Sequence, residues 1–387
     1  MNPIAALRLE SAQLPPQAEA LRAEVRGFVA EERAAGRLTP PREMGMGFSP
    51  EMSARIAARG WVAMTWPKRW GGHERSALER YVVMEELLAA AVPVGAHWVA
   101  DRQSGPVLLR FGNDRQRALH LPAIARGERF FCIGMSEPDS GSDLASIRSR
   151  AERVDGGWRL NGHKLWTTNA HRAHFMISLF RTTSGLDSKH AGLSQFVIPL
   201  NSSGVTVKPV ISMPGEHDFN EVFFDDVLVD DDALVGEPGN GWNQVSAELA
   251  YERSGPERWL SAFRLLACVV EAMGADPDAA DRQEAARLVS HLITLRQLSI
   301  SVASMIQAGQ SPNVPAAMVK DLGTRLEQDT VLKVRDIILR GGLDQPGGGG
   351  LLGELLQSGL LWSPAFTIRG GTGEILRGVI AKGLGLR

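Results

Sequence analysis

Two stretches of the chain carry the most informative side chains, and the first of them suits a polar, phosphorylated ligand. The first is Met135-Ser136-Glu137-Pro138-Asp139-Ser140-Gly141-Ser142-Asp143, which follows an apolar run. Pro138 blocks a regular helix, Gly141 permits a positive φ, and the Ser and Asp side chains bond nearby amides. So many hydroxyls and backbone N–H groups in a short span suit a phosphate or the polar edge of a heterocycle. The second stretch runs from Trp158 to Asn169. Asn161-Gly162 within it signals a hairpin turn, and Trp166-Thr167-Thr168 reads as strand. Taken separately, a Ser/Gly/Asp run reads as a solvated loop and a strand Trp as core. A third feature is the carboxylate Glu252, directly before Arg253 in Leu249-Ala250-Tyr251-Glu252-Arg253-Ser254. On its own it reads as a helix-surface carboxylate paired with Arg253 or Arg258, with Glu248 and Glu257 a helical step away.

These features must be positioned by more than one domain, because 387 residues exceed one compact core. Residues 1–125 read as helical. Leu21, Val25, Phe28 and Val29 recur at helical spacing over Glu19 to Ala35. Pro50 opens a second helix from Ser49 to Gly60, and Ser76-Ala-Leu-Glu79 is a capping box before a third that runs to Ala91. Residues 126–235 change period, with short β-branched and aromatic runs at Ser146 to Val154, Trp158 to Leu160, His174 to Arg181, Gln195 to Pro199, Val205 to Pro209 and Glu221 to Val229. Residues 236–387 return to helix over Trp242 to Phe263, Asp281 to Gln307, Val314 to Leu339 and Leu351 to Gln357, broken by Gly341-Gly342 and Gly347 to Gly350. The expected fold is a multidomain α+β chain, with an N-terminal α-helical domain, a middle β-barrel domain and a C-terminal four-helix bundle.

Composition excludes several classes. Charged residues make up 22% with a net charge of −2 and no basic block, so nucleic acid is not an expected partner. Cys132 and Cys268 give neither a disulfide framework nor metal-ligand spacing. The acidic cluster Asp225 to Asp232 is consecutive where a Ca²⁺ loop needs spacing, so no metal is expected. Met1 to Pro16 lacks a basic start with an apolar core, and no run of about 18 apolar residues marks a membrane span. The expectation is a cytoplasmic protein.

The two polar stretches, at their spacing, resemble the flavin-binding signatures of the acyl-CoA dehydrogenase family. The resemblance extends over most of the chain, through Phe111-Gly112-Asn113-Asp114, Leu121 to Glu128, Glu221 to Val227, Gly236 to Trp242 and Ile368-Arg369-Gly370-Gly371-Thr372-Gly373-Glu374-Ile375-Leu376-Arg377. It implies FAD as cofactor, with Met135, Ser136 and Ser142 holding the flavin ring and pyrophosphate; Ser136 stands where the family usually has Thr. It further implies that Trp166 packs on the isoalloxazine, that Thr168 faces its N5 edge, and that Thr372 and Glu374 touch the cofactor. Ser142, Arg253 and Gly371 are the implied substrate contacts. Most members carry their catalytic Glu where this chain has Gly370. A branch that includes isovaleryl- and long-chain-type enzymes places it on the first C-terminal-domain helix before an Arg, which here is Glu252. The implied reaction removes a proton from C2 and a hydride from C3 of an acyl-CoA, in fatty acid metabolism, and passes electrons to an electron-transfer flavoprotein from a homotetramer built as a dimer of dimers. Two departures fall on the adenine side of the cofactor: the Arg-x-x-Phe-Gly run has no match beyond Arg296-Gln297-Leu298, and Arg340 replaces the Gln before Gly341-Gly342. Alternatives on the same fold are a flavin monooxygenase or N-hydroxylase, an acyl-CoA oxidase, and a non-catalytic partner subunit of a hetero-oligomer.

Overall fold

The structure is a computed structural model and describes residues 9–39, 41, 44–340 and 350–386, without the side chains of 248–252. Its helices in chain order are α1 (Pro16–Ala34), α2 (Pro50–Ala58), α3 (Ala77–Ala89), α4 (Gly95–Val99), α5 (Gly105–Phe111), α6 (Asp114–Ala125), α7 (Gly241–Glu252), α8 (Phe263–Ala272), α9 (Ala279–Gln307), α10 (Asn313–Leu339), α11 (Leu351–Phe366) and α12 (Gly373–Gly383). Between α6 and α7 lie β1 (Phe131–Gly134), β2 (Arg150–Val154), β3 (Gly157–Thr168), β4 (Phe175–Arg181), β5 (Leu193–Pro199), β6 (Val205–Val210) and β7 (Phe219–Asp230). The chain divides into two compact units, residues 1–47 with 76–92 and 252–387, and residues 48–75 with 93–251.

The first unit is helical. All four apolar residues that mark α1 in the sequence are buried. The capping box that opens α3 is present: Glu79 N–H donates to Ser76 Oγ (3.1 Å) and Ser76 N–H to Glu79 Oε2 (2.8 Å). Charges then tie three helices together. Arg22 and Arg26 on α1 pair with Glu86 on α3, and Arg296 on α9 meets Glu85 at 2.7 Å. Arg296, considered above for a cofactor motif, is thus committed to Glu85. Arg340 likewise pairs with the buried carboxylate of Asp281, at 2.7 Å from Nε. In the bundle α10 packs against α8, α9, α11 and α12. The expected helix from Trp242 to Phe263 is interrupted: α7 stops at Glu252 and a short 3₁₀ turn covers Pro256–Arg258, because Gly255 and Pro256 cannot continue it. Leu351 to Gln357 is the first half of α11, and α12 had no expectation. Gly341, Gly342 and Gly347 to Gly349 lie outside the described residues.

The second unit is built on one curled, seven-stranded sheet in the order β1-β4-β2-β3-β7-β6, with β5 also on β4; this is the form the expected middle β-barrel domain takes. Its core holds Trp158, Leu160, Phe180, Phe196 and Phe224. The hairpin is not at Asn161-Gly162. β2 and β3 pair Val154 with Gly157, so the turn is Asp155-Gly156, with Gly156 at φ 74°. Strand β3 runs straight through Asn161-Gly162, where the register to β7 shifts and a Cβ on Gly162 would lie 2.1 Å from Ser149 Oγ. Both dipeptides carry turn chemistry, and strand pairing chooses between them. β1 was unmarked by alternation because it is a short, largely buried strand parallel to β4.

Trp66 in this unit sits between two glycines. A Cβ on Gly72 would fall 2.2 Å from its carbonyl oxygen, and one on Gly105 2.0 Å from its ring. Gly141, by contrast, has nothing within 4 Å and does not use a positive φ. Gly72→Ala is therefore expected to lose about 1–3 kcal/mol from backbone displacement, and Gly141→Ala to stay within about 0.5 kcal/mol, as read from denaturant midpoints.

Candidate functional site

In the β unit the two polar stretches come together. β1 delivers the chain to Met135 and Ser136, and Leu165 N–H of β3 donates to Ser136 carbonyl at 2.9 Å. Beneath this contact is a buried ion pair. Lys164 Nζ lies 2.8 Å from Glu137 Oε1 and 3.3 Å from Met135 carbonyl, with the two side chains 0% and 8% exposed. Glu137 also accepts from Arg148 N–H (2.6 Å) and Ser149 N–H (3.0 Å). Burial works against the Glu137 charge, but Lys164 and the Arg148 amide outweigh it, and the carboxyl is held below the usual carboxylate range. Burial pushes Lys164 down to about 8, with Glu137 opposing.

Trp166 projects from β3 into solvent, 54% exposed in a unit whose other large aromatics are mostly buried. Its φ is 61°, and Asn169 follows at φ 57°. Trp166 occupies a bulge, because β3 pairs Lys164 with Val222 and next Thr167 with Asn220. Thr168 is exposed beside it, while Thr167 points inward. Ser142 is exposed at the tip of the first stretch, where Asp143 is held by Lys189 (2.7 Å) and by the Ser146 hydroxyl. Met135, Ser136, Ser142, Trp166 and Thr168 therefore all belong to one unit, and Met135–Ser136 touches the strand that carries the last two.

The other predicted residues belong to the helical unit. Gly370 (φ 68°) and Gly371 (φ 100°) form a left-handed turn before α12, and the Thr372 hydroxyl caps that helix by accepting from Ile375 N–H at 3.4 Å. Glu374 is exposed in its first turn. The turn is held from three sides: Arg253 Nε donates to Gly370 carbonyl (3.2 Å), Lys320 Nζ to Phe366 carbonyl (2.9 Å), and Arg369 Nη2 to Glu327 Oε2 (2.6 Å). Glu252 is the last residue of α7, and its side chain lies outside the described residues. Lys164, Glu137, Lys320 and Glu327 support these turns and have no role in the sequence analysis. Glu137 lay inside the quoted motif, but a partner 27 positions away has no local signal. Among the described residues no group of three or more His, Cys, Asp or Glu side chains is placed to hold a metal ion.

Family comparison decides what this arrangement belongs to. Profiles described as the N-terminal, middle and C-terminal domains of acyl-CoA dehydrogenase match residues 15–128, 132–227 and 239–385. The chain belongs to the acyl-CoA dehydrogenase family. Its curated relatives include the acyl-CoA dehydrogenase IpdE1 of Mycobacterium tuberculosis, 33% identical over 94% of this chain and 96% of that protein. The acyl-CoA dehydrogenase FadE26 of the same organism is 30% identical over 95% and 97%. Among solved structures, the Tcur3481–Tcur3483 steroid ACAD matches with a TM-score of 0.84 at 27% identity, covering 97% of this chain and 98% of that one. The ChsE4–ChsE5 complex from Mycobacterium tuberculosis matches at 0.81 and 28%, covering 97% and 99%.

Acyl-CoA dehydrogenases are FAD-dependent oxidoreductases, and FAD is the cofactor of this chain. The β unit fits such a group. An exposed indole offers a platform for a flat ring, and the hydroxyls of Ser136 and Thr168 lie on segments bonded to each other.

The Glu137 carboxyl gives a pH signature. Its folded value is depressed, so its contribution to stability is complete above the unfolded value of 4.5 and is lost as pH falls through the lower folded value. Glu137→Gln is expected to melt well below the wild type at pH 7, and the difference should shrink between about pH 5 and pH 3, as followed by thermal denaturation.

Proposed function

We propose that this acyl-CoA dehydrogenase performs α,β-dehydrogenation of an acyl-CoA with Glu252 as the base. The observation that carries this is the Arg253–Gly370 hydrogen bond, which ties the residue after Glu252 to the turn where most members keep their Glu. Gly370 and Gly371 are both left-handed, a conformation that favours glycine over a side-chain-bearing acid. A base from α7 and a bare turn at Gly370 therefore complement one another. Glu252 takes the proton from C2, while Gly371 and Arg253 border the thioester and its developing negative charge. FAD, when bound, accepts the hydride that leaves C3. Met135, Ser136 and Ser142 hold the cofactor and the adjacent part of the substrate, Trp166 covers the ring, Thr168 faces its reactive edge, and Thr372 and Glu374 contact it from the start of α12.

The substrate we infer is a bulky, ring-bearing acyl-CoA, because a solved relative spanning nearly the whole chain is titled a steroid ACAD. Electrons pass to an electron-transfer flavoprotein, and the enzyme works in the cytoplasm as a homotetramer. A second assembly has its own support. Two of the matched structures are titled as pairs of differently named proteins, Tcur3481–Tcur3483 and ChsE4–ChsE5, so pairing with an unlike chain is the alternative to pairing with itself.

The test is anaerobic reduction of the bound flavin by a panel of straight, branched and ring-bearing acyl-CoAs. Glu252→Gln should retain FAD and be reduced about 10²–10⁴-fold more slowly than the wild type. Reduction of Glu252→Gln at the wild-type rate would contradict the assignment of the base.

A further inference from the structure

The conformation at Trp166 needs an explanation that the flavin signature does not supply. A bulky residue at φ 61° lies in a region that L side chains rarely adopt. Trp166 and Asn169, both left-handed, bracket Thr167 and Thr168. Such backbone persists only where its surroundings over-determine it. On one side Asn169 N–H donates to Asp218 carbonyl at 2.7 Å. From within, Asn220 of β7 is fully buried, and its Nδ2 donates to Thr167 carbonyl at 3.0 Å. That carbonyl can only accept, which fixes the orientation of the Asn220 amide. Its Oδ1 must then accept from both rings that reach it, His171 Nδ1 at 3.1 Å and His217 Nε2 at 2.8 Å. The two imidazoles are stacked, 3.7 Å between centroids and 14° between planes. Burial first, then the neighbouring His217 and Arg172, hold His171 below its ordinary range, with Asn220 and Asp218 opposing. Each ring therefore donates the named N–H to Asn220 Oδ1.

We propose that Asn220, oriented by the stacked pair His171 and His217, is a positioning residue that holds the Trp166–Thr168 bulge in the form that receives the flavin ring. The inference rests on the reading above that Trp166 and Thr168 contact the flavin. Asn220 reaches the bulge through the Thr167 carbonyl and does not itself line the exposed face. Removing its donation lets Thr167 turn, and the indole and the Thr168 hydroxyl leave their relative positions.

Asn220→Asp tests this in the full-length protein, because it keeps volume and acceptor but sets a carboxylate against the Thr167 carbonyl. FAD is titrated into flavin-free protein, and the visible spectrum and midpoint potential of the bound flavin are recorded. Asn220→Asp is expected to raise the FAD dissociation constant about tenfold and to shift the spectrum, the scale of one lost buried hydrogen bond. Val227→Ala, on the same strand, fully buried and paired with Leu160 away from the bulge, controls for lost stability; it should melt earlier while keeping FAD affinity within about twofold. His217→Ala, at a half-exposed position, removes one of the two donors and should give an intermediate effect if Asn220→Asp does not fold. Wild-type affinity and spectrum in Asn220→Asp and His217→Ala would overturn the inference, as would an equal loss in Val227→Ala. Failure of the wild type itself to bind FAD would overturn the flavin reading, and the inference with it.

Discussion

The meeting of the two polar stretches depends on the contact between Lys164 and Glu137. Both side chains are almost wholly withdrawn from water, and an ion pair in that setting is tolerable only when its remaining bonding capacity is met. Here it is met largely by backbone: Glu137 takes the amides of Arg148 and Ser149, and Lys164 reaches Met135 carbonyl. Phe180, part of the sheet core, packs its ring 5.3 Å from the ammonium. The hydrophobic core thus supplies the low dielectric that makes the pair sensitive to loss of either partner, and the pair converts that sensitivity into register. Met135-Ser136 cannot drift from β3 without exposing a charge to apolar surroundings.

The helical unit applies the same physics to a different turn. Glu327 is fully buried, and it takes Arg369 Nη2 and the Ser261 amide together. Lys320 is also buried and bonds the Phe366 carbonyl and the Thr324 hydroxyl. Directly after Arg369 the chain passes through two left-handed glycines into the capped start of α12. In each unit a glycine- or serine-rich segment is thus held to regular elements by buried charge.

Much of this was legible in the sequence, for identifiable reasons. Helix α1, the capping box of α3, and the long helices α9 and α10 follow from local periodicity and cap chemistry, which are short-range. Met135, Ser136, Trp166 and Thr168 stood out because they cluster within two stretches, and the fold brings those two stretches together. Asn161-Gly162 misled because a turn dipeptide reports what the backbone tolerates, whereas the pairing of β3 with β7 and the approach of Ser149 decided that it stays extended. The run from Trp242 to Phe263 misled in the opposite way, since apolar spacing continued across Gly255-Pro256 where the backbone could not. Lys164 with Glu137, Arg369 with Glu327, and Asn220 with its two histidines were invisible as pairs, because each joins residues brought together only by the tertiary fold.

If the buried pair fixes Met135-Ser136 against the strand that carries Trp166 and Thr168, its loss should reach FAD binding, and a double-mutant cycle measures that most directly. FAD dissociation constants would be compared for the wild type, Glu137→Gln, Lys164→Met and the double variant. The account expects each single variant to weaken binding and the double variant to be little worse than the weaker single one, a coupling of about 1–3 kcal/mol. Losses that simply add, or FAD affinity indifferent to either substitution, would contradict it.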